Sequence, residues 1–174
     1  REGGLYGAAI TQIIKHLEAA IPFAENADQA AVIRRLIEFY RTGDLRTFDH
    51  YSIQWLKDVK SNVDFVNGFI ESYGDPLGMK ASWESIVNFK DVAATERAHT
   101  LALNAQWFED HSPVDPRFKK KEVKGVSAKV ITAAILAGDL YPSTAIGINL
   151  PNSDWVRRDF GSKSVTISNL TDAY

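Results

Sequence analysis

Two side chains in the stretch GFIESYGDPLG, running from Gly68 to Gly78, have the types and spacing for chemistry on a peptide: Glu71 and Tyr73. Residues two apart on a strand share a face, so this carboxylate and phenol are expected to project together. A carboxylate at a rigid strand end suits an ammonium terminus. A phenol beside it can donate a hydrogen bond to a carbonyl oxygen that gains negative charge in a transition state. The same pair also reads as a surface glutamate next to a half-buried tyrosine. A second polar pair, Asn149 and Asn152, flanks Leu150-Pro151. Backbone capping before a turn explains such asparagines equally well. Gly147, just upstream, lacks the side chain that would hold off an approaching backbone.

Other chemistries find little support. The histidines are His16, His50, His99 and His111, and none has a second histidine or a carboxylate at a zinc-ligand spacing. Glu71 and Asp75 do not make a glycosidase pair, because turn formation accounts for Asp75. The basic run Lys119-Lys120-Lys121 lacks interleaved aromatics and a glycine-rich cradle, and reads as a solvated loop. Asn169-Leu170-Thr171 matches a glycosylation sequon of low specificity. With no cysteine, disulfides and thiolate chemistry are excluded. A net charge of −2 gives no general attraction to nucleic acid or to an anionic membrane, and no apolar run approaches the roughly 18 residues of a membrane span.

The elements that must position these residues follow from local patterns. Asp75-Pro76-Leu77-Gly78 has type I turn chemistry. Val63 and Phe65, then Val66, Gly68 and Ile70, recur by two with a bulge-like change of face between Phe65 and Val66. Ala81, Trp83, Ser85, Val87 and Phe89 alternate with Ser82, Glu84, Ile86, Asn88 and Lys90, which predicts a β-hairpin carrying Glu71 and Tyr73 near its tip. Upstream, Ile10, Ile13, Ile14, Leu17 and Ile21 predict a helix over Leu5–Ile21, stopped by Pro22. A second helix is expected from the cap candidate Asp28, with Val32, Ile33, Leu36, Ile37 and Tyr40 on one stripe and Gly43 as terminator. Asp44 then caps a third, expected to bury Leu45, Phe48, Leu56 and Val59.

Downstream, Asp91 is the expected N-cap of a helix through about Glu109, with Ala94, Ala98, Leu101, Ala105 and Phe108 as a narrow packing seam. Residues 111–125 read as a linker. Val126–Leu136 fits either a helix or a strand. Ala145–Leu150 reads as a strand ended by Pro151, Ser153 or Asp154 as the cap of one helical turn, Val165 and Ile167 as a last strand, and Asn169 as the start of a helix. The whole predicts an α+β fold. At 174 residues the chain is long enough to bury roughly 70% of its unfolded surface. It begins at Arg1 and stops at Tyr174 in mid-element, which is expected of a piece of a longer protein.

GFIESYGDPLG followed by Trp83-Glu84, then Gly147-Ile148-Asn149-Leu150-Pro151-Asn152, then Phe160-Gly161-Ser162-Lys163-Ser164-Val165, closely resembles the dipeptidyl peptidase III family of zinc-dependent exopeptidases in order and spacing. The resemblance covers nearly the whole chain. It implies that Glu71 helps hold the substrate amine, that Tyr73 stabilises the scissile carbonyl, and that Asn149 and Asn152 bond the substrate's N-terminal end. It also implies that the Ile146-Gly147-Ile148 strand pairs with substrate backbone, and that 130–137 is strand. The family carries zinc on an H-E-x-x-G-H helix and a later glutamate, and neither motif occurs here. Zinc is therefore expected in the parent protein and not on this piece, which alone is expected to be inactive. The expected partners are short peptides and the rest of the parent chain with its zinc lobe, in the cytoplasm. The resemblance further divides the chain into 1–90 in a β-core lobe, 91–129 as a helical segment and linker of the zinc lobe, and 130–174 returning to the β-core. Gly74 and Leu77 depart from the basic and aromatic residues familiar there, which puts subsite preference in doubt. The competing reading is a non-catalytic peptide-binding or scaffold domain.

Overall fold

Periodic apolar stripes, capping residues and turn glycines decide where the elements begin and end. The structure, a computed structural model, describes residues 1–123, 126–142 and 144–173. In chain order they form α1 (Gly7–Ala20), α2 (Ala27–Thr42), α3 (Leu45–Lys57), β1 (Val63–Glu71), β2 (Ser82–Lys90), α4 (Val92–Leu103), α5 (Ala105–His111), β3 (Val126–Gly138), β4 (Gly147–Leu150), α6 (Asp154–Phe160), β5 (Ser162–Ile167) and α7 (Ser168–Thr171). The architecture is α+β. Lys124 and Gly125, the last residues of the expected linker, lie outside the described residues, as does the chain end at Tyr174.

The chain divides into two units. The first comprises Arg1–Ser61 and Ser153–Phe160 and is helical. Its core is the expected stripe of α2, with Val32, Leu36 and Tyr40 buried, joined by Ile10 and Ile14 of α1. The N-cap of α2 is Asn26, not Asp28. Asn26 Oδ1 accepts from the Gln29 N–H at 2.9 Å, while Gln29 Oε1 accepts from the Glu25 N–H at 2.7 Å. The first bond satisfies a donor that the helix start leaves open, and the second ties the residue before the cap to the first turn. Gly43 ends α2 with φ +71°, and Asp44 caps α3 as expected. Helix α3 buries Thr47, Tyr51, Ser52 and Trp55, whereas Leu45 and Val59 are exposed, so the stripe lies one position away from the one expected. Trp155 of α6, a helix of two turns and not one, donates to Asp49 of α3 at 2.8 Å.

The second unit, Asn62–Asn152 and Gly161–Tyr174, holds a five-stranded sheet ordered β1-β2-β3-β5-β4. All neighbours are antiparallel except β3 and β5. The segment that fitted helix or strand is strand β3. Its β-branched residues suit a pleated surface better than a helix turn. The expected hairpin forms from β1 and β2, and the type I turn closes with the Gly78 N–H on the Asp75 carbonyl at 2.9 Å. The change of face in β1 does not lie between Phe65 and Val66. Asp64, Val66 and Gly68 are buried in strict alternation, and the register slips between Phe69 and Glu71, which leaves Ile70 as the extra residue. A second bulge leaves Ala134 of β3 without a β2 partner. Asn169 serves the adjacent Ala133 backbone, accepting from its N–H at 3.0 Å and donating to its carbonyl at 3.1 Å.

Helix α4 is capped by Asp91, as the sequence predicts, and is stitched to β3. The Asp91 N–H and the Thr95 hydroxyl both donate to the Val130 carbonyl, and the Val130 N–H donates back to Thr95 Oγ1. The single helix expected through Glu109 breaks at Asn104, whose side chain donates to the Thr100 carbonyl at 2.8 Å and diverts the ladder. Leu101 and Phe108 of the expected seam are exposed, and α4 buries no residue.

At the end of the sheet where β1 and β5 begin, three charged side chains are buried on one face. Lys163 Nζ donates to Asp64 Oδ2 at 3.1 Å, and Lys129 Nζ stands 3.8 Å from the same oxygen. One carboxylate thus balances two ammonium groups out of water. Asp64→Ala is expected to destabilise the protein by about 3–5 kcal/mol, because it removes the carboxylate that both buried ammonium groups face. Urea denaturation followed by tryptophan fluorescence measures this, and a loss below about 1 kcal/mol would show that the cluster is energetically neutral.

Candidate functional site

At the opposite end of the same sheet, the extra residue Ile70 decides which way Glu71 faces. Without a bulge, Glu71 would lie on the face of Phe65, Asn67 and Phe69. The slip places it opposite Ser82, on the buried face of Gly68, Glu84 and Ile86. Glu71 and Glu84 therefore share a face from adjacent strands. Tyr73 is not on the strand. It sits in the turn after β1 and is 91% exposed. Its proximity to Glu71 comes from the loop and not from strand alternation. The loop is held by Asp75, whose carboxylate accepts the Lys80 and Ala81 N–H groups at 2.7 and 3.0 Å. These bonds, with Met79, hold its pKa below the usual value.

The third wall comes from the end of β3. Gly138 lies opposite Glu84 with φ +65°, and a Cβ there would stand 2.2 Å from the Trp83 carbonyl oxygen, so only glycine fits. The Asp139 N–H then donates to that same carbonyl at 3.0 Å. This pins the Asp139 carboxylate beside the Glu84 strand.

The fourth wall is β4, at the edge of the sheet. The Ile167 N–H donates to the Ile146 carbonyl at 2.9 Å, so Ile146 and Ile148 turn their backbone groups toward β5. By the alternation of an antiparallel ladder, Gly147 and Asn149 present theirs to the open side. The glycine at 147 answers a close approach, but by β5: its Cβ would meet the Val165 carbonyl oxygen at 2.8 Å. Past Pro151, Asn152 donates to Glu71 Oε2 at 3.3 Å and to the Ile70 carbonyl at 3.4 Å, tying the end of β4 to the bulge of β1.

These walls enclose a cavity of about 350 Å³ lined by Glu71, Tyr73, Glu84, Asp139, Leu140, Ala145, Gly147, Ile148, Asn149 and Asn152. Of the residues read from sequence, Glu71, Tyr73, Gly147, Ile148, Asn149 and Asn152 meet here. The Ile146 side chain is exposed and does not line the cavity. Glu84 and Asp139 were missed as site residues. The signal was present for Glu84: it alternates with Ile86 along β2, and this more polar set is the buried one. Glu84 is 3% exposed, and no hydrogen bond or ion pair reaches its carboxyl group among the described residues. Burial first, then the negative fields of Glu71 and Asp139, push its pKa up to about 7. No basic residue is among those lining the cavity. A buried carboxyl with like-charged neighbours and no partner is arranged to receive a cation.

The comparisons with known proteins agree with this architecture. The model of peptidase family M49 matches residues 2–174. Dipeptidyl peptidase 3 of Dictyostelium discoideum is 30% identical over 172 residues, covering 98% of this chain and 24% of the relative. The Homo sapiens protein of that name is 28% identical over 167 residues, covering 96% of this chain and 22% of the relative. The solved structure of DPP III from Caldithrix abyssi superposes with a TM-score of 0.87 at 22% identity, covering 99% of this chain and 33% of that one, and so shares the fold. The chain spans about a quarter of the length of the curated relatives it matches.

The Glu84 environment has a consequence for stability. Its folded pKa of about 7 lies above the ordinary 4.5, so between those values the folded state holds the proton more tightly than the unfolded chain. Stability from this group is therefore greatest below pH 4.5 and declines as pH rises to 7. Glu84→Gln removes that decline and is expected to make the protein more stable than wild type at pH 8, with little difference at pH 4.5. Denaturation midpoints at the two pH values provide the check, and equal midpoint differences at both would contradict it.

Proposed function

This chain belongs to peptidase family M49, and from that premise we propose that it supplies the amine-binding and backbone-binding wall of the cleft in a zinc-dependent dipeptidyl peptidase. The parent removes dipeptides from the free N-terminus of short peptides. The observation that carries this reading is the buried, unpartnered Glu84 carboxyl beside Glu71, in a cavity at the end of an edge strand. An ammonium terminus placed between those two carboxylates meets opposite charge in a partly desolvated site, where such contacts are strongest. Asn149 and Asn152 supply further polar groups around it. The outward backbone groups of Gly147 and Asn149 accept the peptide as an added strand, which reads backbone and leaves side-chain choice broad.

Holding the amine at the end of the edge fixes the register. Two residues of extended peptide span about 7 Å, so the second peptide bond lies beyond the carboxylates, toward the turn. Tyr73 supports the reading there by lining the cavity while its side chain remains accessible. Its phenol donates to the scissile carbonyl oxygen as charge develops.

Among the described residues no group of three or more His, Asp or Glu side chains is placed to hold a metal ion. On the family resemblance we assign zinc to parts of the parent outside this chain, where it would supply Lewis acidity and an activated water. In the same reading residues 1–90 and 130–174 belong to the β-core lobe and 91–129 to the zinc lobe. No helix among the described residues is long and apolar enough to cross a membrane.

In the full-length parent, Glu71→Ala is expected to raise KM for a tetrapeptide by roughly 10- to 100-fold, the loss of one charge-assisted contact. Unchanged steady-state constants would remove Glu71 from the site. Tyr73→Phe is expected to lower kcat by about 10- to 1000-fold with KM nearly constant. If the two constants change in proportion instead, the phenol is a binding contact only.

A further inference from the structure

We propose that the cavity exchanges a proton for its cation at the buried Glu84 carboxyl, and that Asp139 is a positioning residue that contributes to this exchange. In the empty cavity Glu84 carries a proton, held there first by its burial and then by the neighbouring carboxylates of Glu71 and Asp139. When an ammonium group enters, that proton leaves to solvent and the ionised carboxylate takes the cation. The proposal rests on the amine-binding reading above and adds to it a residue that helps set the pH at which the cavity accepts its ligand.

Geometry supports it first. Glu84 is almost wholly buried, faces the cavity and has no partner among the described residues. Asp139 is held next to it by two backbone constraints: the left-handed Gly138 opposite Glu84 and the bond from the Asp139 N–H to the Trp83 carbonyl. Neither depends on the Asp139 side chain, so substituting it leaves the wall in place. The groups facing Glu84 are Glu71 from β1, Tyr73 from the following turn, and Asp139 from the end of β3. Strand β4 contributes only Gly147, Ile148 and Asn149, and beyond it Asn152, none of which titrates near neutrality. Asn152 donates to Glu71, so Glu71 has a hydrogen-bond partner, whereas Glu84 is the buried carboxyl without one among the described residues.

The charge balance is explicit. Three carboxylates with one proton carry two negative charges. After exchange they carry three against one positive charge from the ammonium, so the cavity's net charge is the same before and after binding. Beyond its burial, Glu84 is raised by repulsion from Glu71 and then from Asp139, the latter an exposed carboxylate at the cavity rim. Removing Asp139 leaves Glu84 ionised at lower pH, so fewer protons are released on binding. The acid limit of binding then moves down. The alkaline limit does not, because it belongs to the peptide's own amine near pH 8.

The test is calorimetry of tetra-alanine binding to the full-length parent, stripped of zinc so that no peptide is cleaved, at pH 6.5 in buffers of differing ionisation enthalpy, on wild type, Asp139→Asn and Glu84→Gln. Wild type is expected to release somewhat over half a proton per peptide. Glu84→Gln is expected to release almost none. Asp139→Asn is expected to release less than wild type and to shift the acid limb of affinity down by roughly a few tenths of a pH unit. Wild-type release and an unmoved limb in Asp139→Asn, with release still lost in Glu84→Gln, would overturn the role of Asp139 and leave amine binding intact. N-acetyl tetra-alanine binding as tightly as the free peptide would overturn the amine-binding reading and this proposal with it. Carboxyl NMR of the ligand-free protein checks Asp139 separately: an unchanged Glu84 titration in Asp139→Asn also overturns the proposal.

Discussion

Strand β1 contains one residue more than β2 can pair. That surplus at Ile70 turns the last residue of the strand onto the face it would otherwise avoid. The rest of the cavity depends on this slip. A regular strand would point Glu71 away from Glu84, and Asn152 would lose both its bonds to the bulged segment. Bulges recur where a sheet must re-aim a side chain, and the residue that looks like a defect in the ladder is the one that creates the site.

The two ends of the sheet handle charge in opposite ways. Where β1 and β5 start, Asp64 is drawn to Lys163 and Lys129, so that buried charges offset one another. Where β1 and β3 finish, Glu71, Glu84 and Asp139 face a common space with no cation among the lining residues. The first arrangement stabilises the strands' beginnings. The second is unfavourable in isolation, and the backbone constraints at Gly138 and the bulge are what bring the three strand ends to one space. Strain of this kind is ordinarily kept where a ligand relieves it.

Much of the fold was legible because the relevant physics is local. Gly43, Asp44, Asp91 and the Asp75–Gly78 turn act through their own neighbours, and each performs the role its type predicts. Less legible were features that depend on partners distant in the chain. Alternation in β1 and β2 shows two faces but not which one is covered, and here the more polar face is buried. The break at Asn104 depends on whether a side chain bonds a carbonyl one turn back, a choice that composition does not reveal. In the site, six residues came from motif resemblance and geometry assembles them. Asp139 gains its place through the left-handed Gly138 before it and a backbone bond to Trp83, more than fifty residues earlier, neither of which its own type announces.

The clamp between Asn169 and the backbone of Ala133 bears on what can be attached to this surface. A sequon is a chemical address only while its amide nitrogen can enter a transferase. Here that nitrogen is committed to the Ala133 carbonyl and the amide oxygen to the Ala133 N–H, completing the ladder beside the β3 bulge. A sugar joined at that nitrogen would compete with the clamp for the same short space. Folding thus withdraws the acceptor from Asn169-Leu170-Thr171, and the asparagine serves as a piece of surrogate backbone instead of a point of decoration.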